Sequence, residues 1–155
     1  MGTQRLPEEF APAAHYRKEL LIKAPREKVY QALATNDGIA GWWTSEVQGV
    51  HAEGGTLRLE FVGSGHMIEM RVEELRDPEL VAWTCLTHNF FPEWPSTKVN
   101  FALKAESDES CILSFDHFGL KPDCECYGDC SLGWDHFQAS LASFCETGVG
   151  SPWSS

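Results

Sequence analysis

From residue 47 onward the chain alternates. Leu57, Leu59 and Phe61 fall on one face, Arg58 and Glu60 on the other; Val99, Phe101 and Leu103 oppose Lys98, Asn100 and Lys104. A period of two marks strands with one dry and one wet face. Six strands are predicted, over residues 47–51, 56–62, 66–75, 80–88, 98–105 and 111–118. Turn signals separate them: Glu53-Gly54-Gly55, Gly63-Ser64-Gly65, Asp77-Pro78, the stretch from Pro92 to Pro95, and Ser107-Asp108-Glu109. Strands joined by short turns form an antiparallel meander.

Other periods flank this run. Residues 15–24 read as a first strand with Leu20 and Ile22 on one face, ended by Ala24-Pro25. Pro25 suits the first turn of a helix over 26–34, where Val29, Ala32 and Leu33 share a face. Asn36-Asp37-Gly38 is expected to break that helix before a short one over 38–43. Near the C-terminus Trp134, Phe137, Leu141, Phe144 and Cys145 form a helical stripe, with Ser131 as N-cap and Gly148 as the residue that ends it. Residues 1–14 have no periodicity and read as a loose arm. The order strand, two helices, six strands, long helix predicts a single α+β domain over 15–153. One amphipathic helix cannot fill a strongly curved seven-stranded sheet, so a cavity is expected between them.

Length and charge narrow the possibilities. The 155 residues suit one domain and can bury a core without staples. Twelve Lys and Arg against 23 Asp and Glu leave a net charge of −11 and no basic cluster. That excludes a nucleic-acid footprint and disfavours anionic membranes. No apolar run approaches a membrane span and residues 1–14 lack a signal core, so a cytoplasmic protein is expected. No cofactor is implied, since there is no phosphate loop, nucleophile elbow or metalloprotease motif.

The same order of elements resembles the START-like or helix-grip superfamily, also called SRPBCC. Three segments resemble its bacterial branch related to the activator of the ninety-kilodalton heat-shock-protein ATPase. They are Ile22-Lys23-Ala24-Pro25-Arg26-Glu27-Lys28-Val29-Tyr30-Gln31-Ala32-Leu33, then Gly38-Ile39-Ala40-Gly41-Trp42-Trp43, and last Gly133-Trp134 with Leu141, Glu146-Thr147-Gly148 and Gly150-Ser151-Pro152. The resemblance implies a curved antiparallel sheet of about seven strands wrapped on a long C-terminal helix. It also implies a ligand cavity between them. Members include lipid carriers, polyketide-binding proteins and aromatase-like enzymes. Stimulation of the chaperone ATPase belongs to a eukaryotic member with an added N-terminal domain, for which this chain has no room.

On that fold the inward residues are the candidate ligand contacts: Leu59, Phe61, Met70, Trp83, Phe101, Phe115 and His117 from the strands, with Trp42, Trp43 and Trp134 where the helices close. An apolar lining with a few polar groups is what small-molecule sites use. The bland alternative is a filled core. His117 falls in step with Leu113 and Phe115, hence inward, either as a satisfied core histidine or as a ligand donor or base. His66 is placed at a rim. The face of His88 is ambiguous, because Leu80, Ala82 and Leu86 alternate with Val81, Trp83 and Cys85. Glu46 and Asp116 are candidates for the rim. Cys124, Cys126 and Cys130 form a C-x-C-x3-C run that, with His117, offers thiolate and imidazole metal ligands. A reactive thiol ahead of the helix or ordinary buried cysteines are the other readings. Three functions fit: binding of a hydrophobic, lipid- or polyketide-like or aromatic small molecule; a protein-interaction or chaperone-associated role, with a protein partner or homodimer; and an enzyme on a bound aromatic substrate. The first is favoured.

Overall fold

The computed structural model describes residues 15–153. The predicted arm over 1–14 lies outside the described residues. The elements are β1 (Tyr16–Ile22), α1 (Arg26–Ala34), α2 (Asn36–Trp42), β2 (Glu46–Gly49), β3 (Thr56–Phe61), β4 (His66–Arg76), β5 (Leu80–His88), β6 (Lys98–Ser107), β7 (Ser110–Phe118) and α3 (Tyr127–Thr147). The strands make one antiparallel sheet in the order β1-β7-β6-β5-β4-β3-β2. The two short helices carry the chain from one sheet edge to the other. The meander then returns, so that β7 pairs with β1 and sets Tyr16 opposite His117. With α3 on the inner face, this is the α+β helix-grip architecture.

Alternation delivers the core. Leu57, Leu59 and Phe61 are buried on β3, and Val99, Phe101 and Leu103 on β6. They meet Trp134, Leu141 and Cys145 of α3 and Val29, Leu33, Ile39 and Trp42 of the short helices. Gly41 lets α2 approach α3, since a Cβ there would collide with the Phe144 ring. At the far end Gly148 adopts φ 85°, which favours glycine, and its N–H donates to Phe144 O at 2.9 Å.

Two boundaries differ from the sequence expectation. Asn36-Asp37-Gly38 does not delay α2. Thr35 ends α1 in extended geometry and caps α2, its Oγ1 accepting the Gly38 N–H at 2.9 Å. The last helix begins at Tyr127, not after Ser131. No side chain of Cys126 caps it; the Glu93 carboxylate reaches in from another loop and accepts the N–H groups of Glu125 (3.0 Å) and Cys126 (3.1 Å). Those bonds hold the Glu93 carboxyl below its usual range. A cap supplied from a distant loop leaves no local sequence signal.

Strand β5 carries a β-bulge. Met70 pairs with Cys85 but Glu69 pairs with Thr87, so Leu86 has no partner on β4. Val81, Trp83 and Cys85 face inward before the bulge. After it the parity changes, and His88 turns to the buried face beside its partner Ile68.

Candidate functional site

A cavity of about 340 Å³ opens where β3, β4 and β5 meet the first half of α3. Its wall is aromatic: Trp43, Phe61, Phe91, Trp94, Trp134, Phe137 and Trp153. Ile68, Gly133, Ser64, His66, His88, Cys130 and Asp129 complete it. Each element contributes for a local reason. Phe61 and Ile68 are inward positions of neighbouring strands, since Leu59 pairs with Ile68 and Phe61 with His66. The loop after β5 supplies Phe91 and Trp94. Trp153 is strapped across the sheet end: its backbone N–H donates to Trp43 O at 2.7 Å and its indole N–H to Val62 O at 2.9 Å.

The rings form a continuous cluster. Trp43 stacks on Trp42 at 5.5 Å between centroids and on Trp83 at 5.9 Å, with interplanar angles of 7° and 8°. Trp134 lies 5.2 Å from Trp43 and 6.0 Å from Trp94, the latter pair nearly parallel at 16°. Aromatic side chains bury large areas with few rotatable bonds, so the walls are preorganised.

The expected ligand contacts divide into two groups. Trp43, Phe61 and Trp134 line the cavity. Trp42, Leu59, Met70, Trp83, Phe101 and Phe115 are buried but lie outside that lining, packed as core beneath it. The space under α3 is filled there by rings, as in the Trp42–Phe101 and Phe101–Phe115 contacts. His117 also lies beneath. Its Nδ1 accepts the Trp134 indole N–H at 3.0 Å and its Nε2 lies 2.8 Å from Thr97 Oγ1. Its full burial first, then the nearby His15 and His88, push its pKa down to about 3, so the ring is neutral.

Polar chemistry in the lining comes mostly from residues that sequence patterning left open. His88 is buried, and its Nδ1 accepts the backbone N–H groups of Phe90 (3.1 Å) and Phe91 (3.0 Å). An Nδ1 that accepts leaves the proton on Nε2. Among the described residues Nε2 has no hydrogen-bond partner and is not sealed inside protein. Burial, with His66 nearby, lowers the His88 pKa to about 4. His66 sits at the rim, its ring 4.2 Å from Phe90. Four of the indole N–H groups are engaged: Trp42 with Ala32 O, Trp94 with Cys130 Sγ, Trp134 with His117 and Trp153 with Val62 O. No bond engages the Trp43 indole N–H among the described residues.

The loop after Pro92, and Trp153 beyond the last helix, have no periodicity, so nothing in the sequence marked Phe91, Trp94 or Trp153. Glu46 is exposed on the edge strand β2. Asp116 is engaged outside the cavity, its Oδ1 2.8 Å from His15 Nε2 and 3.2 Å from Arg17 Nη1. Among the described residues no three His, Cys, Asp or Glu side chains converge as metal ligands. Cys124 donates to Gly119 O at 3.7 Å, while Cys126 and Cys130 are buried in the first turn of α3. Burial pushes the Cys126 and Cys130 thiols up. The helix dipole therefore does not make Cys130 a thiolate; desolvation wins. No helix among the described residues is long and apolar enough to cross a membrane.

The fold recurs in solved proteins. The dimeric Aha1 of Colwellia psychrerythraea is 28% identical, with TM-score 0.76, and the match covers 88% of this chain and 98% of that one. DynU16, from the dynemicin biosynthetic locus, is 21% identical with TM-score 0.72; the match covers 90% of this chain but 49% of that one. CalU16 of Micromonospora echinospora is 20% identical with TM-score 0.68, over 83% of this chain and 71% of that one. At those two identities the likeness shows the fold. No curated protein matches the sequence. The family model described as Activator of Hsp90 ATPase homolog 1-like protein matches residues 23–146, well over half of the chain. With the strand order and the α3 grip already described, this chain belongs to the Activator of Hsp90 ATPase homolog 1-like family.

Proposed function

We propose that the protein binds a hydrophobic, aromatic small molecule in the cavity between the sheet and α3. The observation that carries this is the cavity itself: about 340 Å³, walled by seven aromatic side chains and open to solvent at one end of the sheet. That volume lies in the range of small-molecule sites, and such sites are mostly apolar with a few placed polar groups. Binding comes from apolar burial against rings that are already fixed. The six unpaired cysteines suit a reducing compartment such as the cytoplasm.

Gly133 provides the test. It lines the cavity from α3, and a Cβ added there meets nothing within 4 Å. Gly133→Leu adds bulk to this wall from a position whose Cβ meets no protein atom. Native mass spectrometry of freshly purified protein should show an organic excess mass that denaturation releases. In the Gly133→Leu variant that excess should disappear while the fold is kept. An excess mass undiminished by Gly133→Leu would place the ligand elsewhere.

Association of two copies is a second reading, supported by the dimer of the Colwellia relative. Light scattering across a concentration series tests it, and a monomer at all concentrations removes it.

A further inference from the structure

We infer that the ligand is an uncharged planar aromatic bearing a carbonyl or phenolic oxygen, and that the His88 Nε2–H is the donor that fixes this oxygen. The inference rests on the cavity being the binding site and goes on to its chemistry.

Geometry fixes the donor. Two backbone N–H groups, from Phe90 and Phe91, occupy the lone pair of Nδ1, at 3.1 and 3.0 Å. A neutral imidazole has one acceptor nitrogen, so Nε2 must carry the hydrogen. The residue is 9% exposed and lines the cavity wall. A bulge at Leu86 brings it there, reversing the facing of β5 over Thr87 and His88. The Nε2–H faces the open cavity, and a ligand that covers it without offering an acceptor strands the donor at a cost in free energy. Among the described residues no protein group accepts from it, so a ligand that displaces water from this wall satisfies the donor only by bringing an acceptor of its own.

The rest of the wall sets the ligand's shape and charge. The Trp94 and Trp134 rings are nearly parallel, and Trp43 and Phe61 meet edge to face at 6.1 Å. Flat rings at fixed angles select a flat guest. Among the described residues the lining contains no Lys or Arg, and the one carboxylate there, Asp129, lies at the exposed rim. A carboxylate or phosphate drawn inside would be desolvated with no counter-charge. An ammonium would be left facing a donor where it needs an acceptor. A neutral oxygen acceptor meets neither penalty.

Three probes on one ring system test this: 2-acetylnaphthalene, 2-isopropenylnaphthalene and 2-naphthoate. The second replaces the carbonyl oxygen by a methylene of similar shape; the third adds a charge. Tryptophan fluorescence titration of the full chain reads all three. The ketone should bind roughly tenfold more tightly than the alkene, the usual cost of leaving a buried donor unpaired. The naphthoate should bind more weakly than the ketone. In His88→Phe the preference for ketone over alkene should vanish. Should that variant not fold, the wild-type ratio still decides, together with the His88 imidazole nitrogen shift on adding ketone. Equal binding of ketone and alkene, or tightest binding of the naphthoate, overturns the inference while leaving the cavity as a binding site. Absence of binding by all three removes the binding reading and this inference with it.

Discussion

The indole of Trp134 donates its Nε1–H to Nδ1 of His117 across 3.0 Å. An indole N–H can only donate, so Nδ1 is an acceptor and the proton sits on Nε2. Nε2 then donates to Thr97 Oγ1 at 2.8 Å, and the Thr97 hydroxyl donates a hydrogen bond to the Trp94 carbonyl at 2.6 Å. The three bonds run in one direction and tie together Trp134 and Trp94, two walls of the cavity. His117 thus holds the cavity's shape from beneath. Its full burial agrees with the period-two pattern of Leu113 and Phe115, and its partners make it a satisfied core histidine.

Replacing His117 by Phe keeps the ring volume but strands the Trp134 N–H and takes away the donor to Thr97 Oγ1, which keeps its own bond to the Trp94 carbonyl. Each unpaired buried group costs about 1–3 kcal/mol. A loss of roughly 1–3 kcal/mol is therefore expected, read as a lower urea midpoint at unchanged m-value. A variant as stable as the parent would show that the chain of bonds contributes nothing.

Acid should weaken the fold through its buried imidazoles. His117 and His88 are held down to about 3 and about 4, both mainly by burial. Unfolded, they take protons near the ordinary 6.5. Between those limits the unfolded chain binds more protons, so their contribution is complete above about pH 6.5 and lost as pH falls toward about 4. Each adds a slope of up to about 1.4 kcal/mol per pH unit. Urea midpoints measured from about pH 7 to about pH 5 should fall accordingly, and His117→Phe should make the fall shallower. A flat profile would mean that these rings are not neutral and buried.

Gln138 offers a gain. It is fully buried on α3, and among the described residues neither its amide oxygen nor its amide nitrogen has a partner. Gln138→Met keeps length and flexibility while removing the unpaired dipole. Thermal unfolding should show stabilisation of about 1–2 kcal/mol. A drop in Tm would reveal a partner for the amide, such as an internal water.

The thiols should be slow to react. Cys85, Cys111, Cys126, Cys130 and Cys145 are buried, and Cys124 is half-buried. Burial pushes the Cys85 and Cys145 thiols up to about 12. Thiolates are the reactive species, so native protein near neutral pH should be labelled chiefly at Cys124, and denatured protein at all six. Fewer than six on denaturation would mean a covalent bridge or a held metal.

Local periodicity determined most of this protein. Alternation along Leu57–Phe61 and Val99–Leu103 set the strands and their inner faces, and the stripe from Trp134 to Cys145 set the face of the long helix. These are short-range effects: a residue's side is fixed by its neighbours two or four positions away. Charge and the absence of basic clusters needed no fold at all. The site was decided by tertiary structure. The bulge at Leu86 turned His88 inward, an outcome set by pairing with β4 and not by β5 itself. Glu93 capped α3 from a loop far away in sequence and moved its start to Tyr127. Phe91, Trp94 and Trp153 came to the wall from segments with no period to read. Which inward residues fill the core and which border empty space depends on where α3 runs out of side chains to place against the sheet. That is a property of packed volumes, to which no single stretch of sequence has access.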